Sequence, residues 1–210
     1  YRELLRRFEA HLIHHPYLLG GHPSAADYAV MGAMHAHLGR DPAGLRMMQN
    51  HAPRTFRWVE HMMVPEVQSP ECYARPIEYL AGDDVPQTAL DILNWMTAEY
   101  GETFVLNVLA YNQAMARLDV AAGYELSPEL DQPSLPTERI TFGGSAREHA
   151  ANLYAVWLSQ RAQRFYQAQS DRTKADIQKC FGSSLSGALL DVPLRYPMER
   201  LNNRLTIGNL

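Results

Sequence analysis

Eight of the nine histidines lie between residues 1 and 61, a density that makes metal ligation the first chemistry to weigh. His11 with His14 or His15 has the spacing that sets two imidazoles on one helical face, whereas His35 and His37, two residues apart, point to different sides. No His-Glu-x-x-His occurs and no third ligand accompanies a pair. No metal is therefore expected, and the histidines read as surface or half-buried groups. The two cysteines, Cys72 and Cys180, make no Cys-x-x-Cys pair. Cys72 sits among Glu66, Glu71 and Glu78, and Cys180 near a helix C-terminus, and both settings disfavour a thiolate. Gly143-Gly144-Ser145-Ala146-Arg147-Glu148 resembles a phosphate loop but lacks the lysine and the preceding strand; Ser145 with Glu148 is expected to make a capping box instead.

Arg161 falls on the stripe Leu153, Trp157, Arg161, Phe165, which aims a guanidinium at an apolar face and so requires an anionic partner. An acid from the middle of the chain is the expected partner. Arg161 together with Trp157 is also the candidate ligand-binding pair. Asn107 and Asn112 are helix amides that can line a pocket. Tyr28, Met31, Met34 and Trp58 have helical spacing and read as core rather than as a cofactor wall. No catalytic residue emerges from these patterns.

The elements that must hold these groups are helical. Apolar residues recur at helical spacing through Leu5, Phe8 and Leu12, then Met31, Met34 and Leu38, then Val105, Val108 and Leu109, and alternating patterns are nearly absent. Pro16, Gly20-Gly21 and Pro23 separate the first two helices, Pro42 and Pro53 open the next two, and Gly182 closes a late one. The spacing predicts helices over 2–15, 25–38, 42–50, 53–63, 86–100, 102–119, 146–168 and 171–181, and an all-α fold. Residues 64–85, with Pro65, Pro70 and Pro76, and residues 120–144, with Pro128, Pro133 and Pro136, read as loops. Their apolar residues Tyr73, Ile77, Tyr79 and Leu80, and Tyr124, Leu135, Ile140 and Phe142, are expected to pack over the helices. Residues 183–210 read as irregular.

Composition bounds the function. With 210 residues, 46% hydrophobic and 20% charged, the chain is an ordinary globular protein rather than a disordered or fibrous one. No apolar run reaches membrane-spanning length, and the first residues carry charges where a signal peptide needs its apolar core, so a reducing cytoplasm is expected. Two distant cysteines give no disulfide framework. The net charge of −4 divides into about +2 over residues 1–63, −10 over 64–144 and +4 over 145–210. An acidic chain with two lysines, Lys174 and Lys179, is a poor binder of phosphate backbones, so no nucleic-acid partner is expected. Tyr1 stands where Met would open a chain, which suggests that sequence precedes it.

One segment is more specific than these patterns. In His15-Pro16-Tyr17-Leu18-Leu19-Gly20-Gly21-His22-Pro23-Ser24-Ala25-Ala26-Asp27-Tyr28, a turn delivers the chain into a helix with reciprocal caps between Ser24 and Asp27. This run resembles the C-terminal helical domain of the glutathione transferase superfamily, in which a tyrosine-leucine-x-glycine and serine-x-x-aspartate stretch opens a central buried helix. The resemblance continues through His37-Leu38-Gly39-Arg40-Asp41-Pro42 and Ala52-Pro53-Arg54-Thr55-Phe56-Arg57-Trp58-Val59-Glu60, where that family has a short helix and then a proline-started helix bearing tryptophan.

The resemblance implies a glutathione-transferase C-terminal-like bundle over residues 1–63, with residues 64–210 a helical extension packed on it as one structural unit. Residues 86–168 look like the extension of some bacterial members. It implies glutathione as co-substrate, bound mainly by an N-terminal thioredoxin-like domain that these residues do not contain, and a small apolar electrophile whose pocket this chain walls on one side. No residue here matches the thiol-activating Ser, Tyr or Cys of the family. The Ser24 and Asp27 pair is structural on this reading. The open half-pocket makes a homodimer the expected assembly. The alternative from another class is a non-catalytic helical interaction or dimerisation module on the same scaffold.

Overall fold

The computed structural model describes residues 1–64, 66–67, 70–82, 84–126, 137–142, 145–181 and 189–209, with the backbone alone at 137–142, 149 and 150. The chain forms two compact units, residues 1–93 and 94–210.

In the first unit, α1 (Arg2–Leu12) buries Leu5, Phe8, His11 and Leu12, the stripe its apolar spacing predicts plus one histidine. α2 (Ala25–Ala33) runs on into a π-helical turn, Met34–Leu38, so the helix predicted over 25–38 is present but changes pitch at Met34. α3 (Pro42–His51) has Pro42 in its first turn and Asp41 as its cap, whose Oδ1 accepts from the N–H groups of Ala43 at 2.8 Å and Gly44 at 3.0 Å. α4 (Pro53–His61) has no cap of its own, because Ala52 stands at its N-cap. Glu9 of α1 supplies one from a distance: its carboxylate accepts from Arg54 N at 3.3 Å, Thr55 N at 3.1 Å and Thr55 Oγ1 at 3.3 Å. α1 thereby packs on both α3 and α4 around Leu5, Phe8, Met34, Met48, Trp58 and Val59, with the Phe8 and Trp58 rings 5.7 Å apart. Tyr28, expected in this core, is 56% exposed instead.

The described part of residues 64–85 contains a 3₁₀ turn, Pro70–Cys72, and attaches through both backbone and side chains. Gly21 N donates to Glu78 O at 2.8 Å, Leu80 N to Leu19 O at 3.0 Å, and the Tyr79 hydroxyl to Pro23 O at 2.9 Å. A Cβ on Gly21 would fall 1.9 Å from Pro76 O, so only glycine admits this approach. Tyr73 and Ile77, expected to pack down, are 89% and 60% exposed.

The unit boundary lies inside α5 (Gln87–Met115), one continuous helix where two were expected on either side of Gly101. A helical glycine costs about 1 kcal/mol relative to alanine, and flanking residues of high helix propensity override that here.

The second unit corrects the all-α expectation. Residues 137–150 are not the start of a helix: β1 (Thr137–Phe142) pairs antiparallel with β2 (Ser145–Ala150), Phe142 opposite Ser145 and Thr137 opposite Ala150. Ser145 and Glu148 therefore sit in a strand and make no capping box; Gly143 and Gly144, the supposed phosphate loop, lie outside the described residues, as does Leu135. Thr, Ile and Phe in β1 favour a strand. The helix predicted over 146–168 begins only at α6 (Leu153–Gln167), where Asn152 Oδ1 caps Tyr154 N at 2.8 Å. α7 (Asp171–Cys180) follows as predicted, capped by Ser170.

The supposedly irregular tail holds a second hairpin, β3 (Met198–Leu201) with β4 (Arg204–Ile207). Asn202 and Asn203 turn it at φ 48° and 64°, the paired left-handed conformation of a two-residue hairpin. The core of this unit gathers Val108, Tyr111, Met115, Leu126, Val156, Met198 and Ile207. Among the described residues the fold is thus mostly helical, with two small antiparallel hairpins.

Candidate functional site

Of the first unit's buried polar groups, His11, Ser24 and Asp27 gather around the turn that precedes α2. Ser24 and Asp27 form the predicted capping box. Asp27 is fully buried, and its Oδ2 accepts from Ser24 N at 2.8 Å and Ser24 Oγ at 2.6 Å. Its other oxygen does something the Ser-x-x-Asp spacing does not announce: Oδ1 accepts from Leu18 N at 2.9 Å, fastening the far side of the turn to the helix.

His11 is the second buried group, also fully enclosed. Its Nε2 lies 3.0 Å from Tyr17 O and its Nδ1 2.8 Å from Thr88 Oγ1. A carbonyl only accepts, so Nε2 carries the proton and Nδ1 accepts from the threonine hydroxyl. Burial lowers the His11 pKa, outweighing the hydrogen bond to Tyr17 that raises it, so the neutral ring is the folded form. The His15 ring stacks on it at 5.3 Å. Asp27 and His11 are thus committed to holding backbone, with no valence turned outward for a reaction. The signal for His11 was its place on the Leu5, Phe8, Leu12 stripe. Leu18 had none.

Beside this network, α4 presents Arg54, Trp58 and His61 on one face, at the i, i+4 and i+7 spacing, toward the 3₁₀ turn. Between them lies a cavity of about 20 Å³, floored by Leu12 and Pro16 and bordered by Glu71 and Cys72. Trp58 is 4% exposed, and its buried indole N–H has no hydrogen-bond partner among the described residues. Arg54 Nη1 pairs with Glu9 Oε1 at 3.1 Å, and Arg57 pairs with Glu71.

In the second unit, Trp157 and Arg161 are not brought together around a ligand. Arg161 is exposed and makes no ion pair among the described residues, contrary to the expectation that it points into an apolar face. The buried face of α6 is Val156, Gln160, Gln163 and Tyr166; Phe165, assigned to the apolar stripe, is 65% exposed. The reason is that the core-facing positions include two glutamines, which a hydrophobicity pattern rejects. Gln160 earns its burial by pairing with one residue of β3, its Oε1 accepting from Met198 N at 2.8 Å and its Nε2 donating to Met198 O at 3.2 Å. Trp157, half-buried, has the Arg200 guanidinium 5.7 Å from its ring, and the same group lies 5.9 Å from the Tyr154 ring. The cleft beside α6 is lined by Gln160, Gln163, Arg164 and Asp191 rather than by Trp157 or Arg161.

Asn107 and Asn112 are structural amides: Asn107 Oδ1 accepts from Asn152 N at 2.8 Å, while Asn112 holds Pro193 O and Arg195 N, each at 2.8 Å. Among the described residues no group of three or more His, Cys, Asp or Glu could hold a metal ion, and no helix is long and apolar enough to cross a membrane. Comparison of the chain with known protein families, with curated proteins and with solved structures finds no match.

Proposed function

We propose that this chain is the helical portion of a glutathione-transferase-like protein and forms one wall of the pocket that takes a small apolar electrophile. The observation that carries the reading is the double fastening at the start of α2, where fully buried Asp27 holds Ser24 and Leu18 at once. Its support is the order of elements around it: α1 before the fastened turn, then α3 and α4, each opened by proline, with Trp58 of α4 in the core. Conjugation requires a group that hydrogen-bonds the glutathione thiolate and lowers its pKa. This chain offers none in its buried networks, so glutathione is assigned to a thioredoxin-like domain outside these residues.

The test is calorimetry with glutathione on this 210-residue chain and on the full encoded protein, together with conjugation to a nitro-activated aryl chloride. The reading expects binding and turnover from the full protein alone. Glutathione binding by the 210-residue chain would overturn the placement of the thiol site, and a full protein with neither activity would leave the second reading, a non-catalytic helical interaction or homodimerisation module. Exposed Ile13, Met63 and Tyr73 in the first unit are what favour that second reading.

A further inference from the structure

The cleft beside α6 in the second unit holds about 500 Å³, within the range of small-molecule sites, and nothing in the reading above uses it. One wall is α6 and the other is the segment 190–197. Glutamine amides fix the two walls to each other. Gln160 holds both backbone groups of Met198, and Gln163 Nε2 donates to Leu189 O at 3.1 Å and Val192 O at 3.3 Å. An amide nitrogen committed to two carbonyls settles which way the group faces, so Gln163 Oε1 points away from them. Gln163 is only 8% exposed, and this oxygen has no partner among the described residues. It is not one of the unpartnered atoms sealed from solvent, so it opens to the cleft that its residue lines.

The cleft carries one charge of each sign among its described lining residues. Arg164 is exposed and makes no ion pair among the described residues; its Nη2 donates to Gln160 Oε1 at 3.3 Å, which leaves the rest of the guanidinium fork to a ligand. Asp191 has Oδ1 engaged by Gln167 Nε2 and its other oxygen open. Leu190, Val192, Leu194 and Pro197 give the cleft its apolar surface.

We propose that this cleft binds a zwitterionic α-amino acid with an aliphatic side chain, of the leucine class. The ligand carboxylate takes the free edge of the Arg164 guanidinium. Its ammonium donates to Gln163 Oε1 and to Asp191, and its side chain lies on the apolar wall. Charge decides the class: a simple carboxylate leaves Asp191 and Gln163 Oε1 unused, an amine leaves Arg164 unused, and a phosphate ester brings several negative charges to a single cation already balanced by Asp191. The apolar wall decides the side chain, since a charged one would be set against Leu190, Val192 and Leu194. The site lies wholly in the second unit and does not rest on the glutathione reading.

The test is calorimetry of the 210-residue chain with leucine, leucinamide and N-acetylleucine, with the backbone amide shifts of isotope-labelled protein locating the site. Leucine is expected to bind with a Kd below about 1 mM and to move amides of α6 and of residues 190–197. Leucinamide, which lacks the carboxylate, and N-acetylleucine, which lacks the ammonium, are each expected to bind about tenfold more weakly. Arg164→Gln and Asp191→Asn, changes at exposed side chains checked for folding by circular dichroism, are each expected to weaken leucine binding about tenfold. Arg164→Gln should also close the gap between leucine and leucinamide, and Asp191→Asn the gap between leucine and N-acetylleucine, a reciprocal pattern that general destabilisation does not produce. Absence of leucine binding at millimolar concentration, shifts confined to other parts of the chain, or equal binding of the three ligands would overturn the proposal.

Discussion

Replacing Asp27 by alanine separates a surface cap from a buried fastening. As an ordinary N-terminal cap the pair would be worth about 1 kcal/mol. The structure sets a larger figure, because the carboxylate is fully enclosed and meets three donors: Leu18 N, Ser24 N and Ser24 Oγ. The serine hydroxyl can rotate to another acceptor, but the two amides cannot, and Leu18 and Ser24 are each only 9% exposed. An unmet buried amide costs about 1–3 kcal/mol, so the two together put Asp27→Ala near 4 kcal/mol. That is a large part of the ~5–15 kcal/mol that holds a domain folded. Ser24→Ala, which leaves the carboxylate and both amides paired, should cost about 1 kcal/mol. Urea unfolding followed by circular dichroism gives the stabilities. Because the chain has two compact units, amide hydrogen exchange at Leu18 and Ser24 must locate the loss in the first of them. The reasoning is refuted if Asp27→Ala costs no more than Ser24→Ala, or if the Leu18 amide stays as protected as before.

Three further outcomes follow from the geometry. His11 is neutral in the fold and its pKa lies below the unfolded value of 6.5, so its contribution is fully present above pH 6.5 and is lost as pH falls from there toward the lowered folded pKa. Urea midpoints measured between pH 8 and pH 5 should therefore fall on the acid side, and His11→Gln should flatten that part of the slope. Gly21→Ala, whose new methyl would meet Pro76 O at 1.9 Å, should cost about 1–3 kcal/mol and free the Gly21 and Leu80 amides to exchange, while leaving exchange in β3 and β4 unchanged. Gln160→Leu leaves both polar groups of Met198 without their partner and should destabilise the second unit by about 2 kcal/mol, read as accelerated exchange of the Met198 amide.

Helices α1, α3 and α4 were legible because each carries its own punctuation: an apolar stripe in α1, Pro42 behind Asp41, and Pro53. These are interactions between residues a few positions apart, and spacing records them. The hairpin of β1 and β2 was not legible, since Ser145-Ala146-Arg147-Glu148 is locally a fair helix start and becomes a strand only by pairing with Thr137–Phe142. α6 failed in a different way, its period right and its face wrong, because Gln160 and Gln163 are buried for the sake of backbone groups well removed from them in sequence.

The same division runs through the candidate site. Sequence by itself determined that Ser24 and Asp27 cap a helix and that the chain is predominantly helical, since both follow from residue type and near spacing. Tertiary structure alone decided that Asp27 also holds Leu18, that His11 is buried neutral between Tyr17 and Thr88, and that Glu9 caps α4. In each of these a buried polar group must find its partner wherever the fold brings one, and nothing in the order of residues fixes where that is.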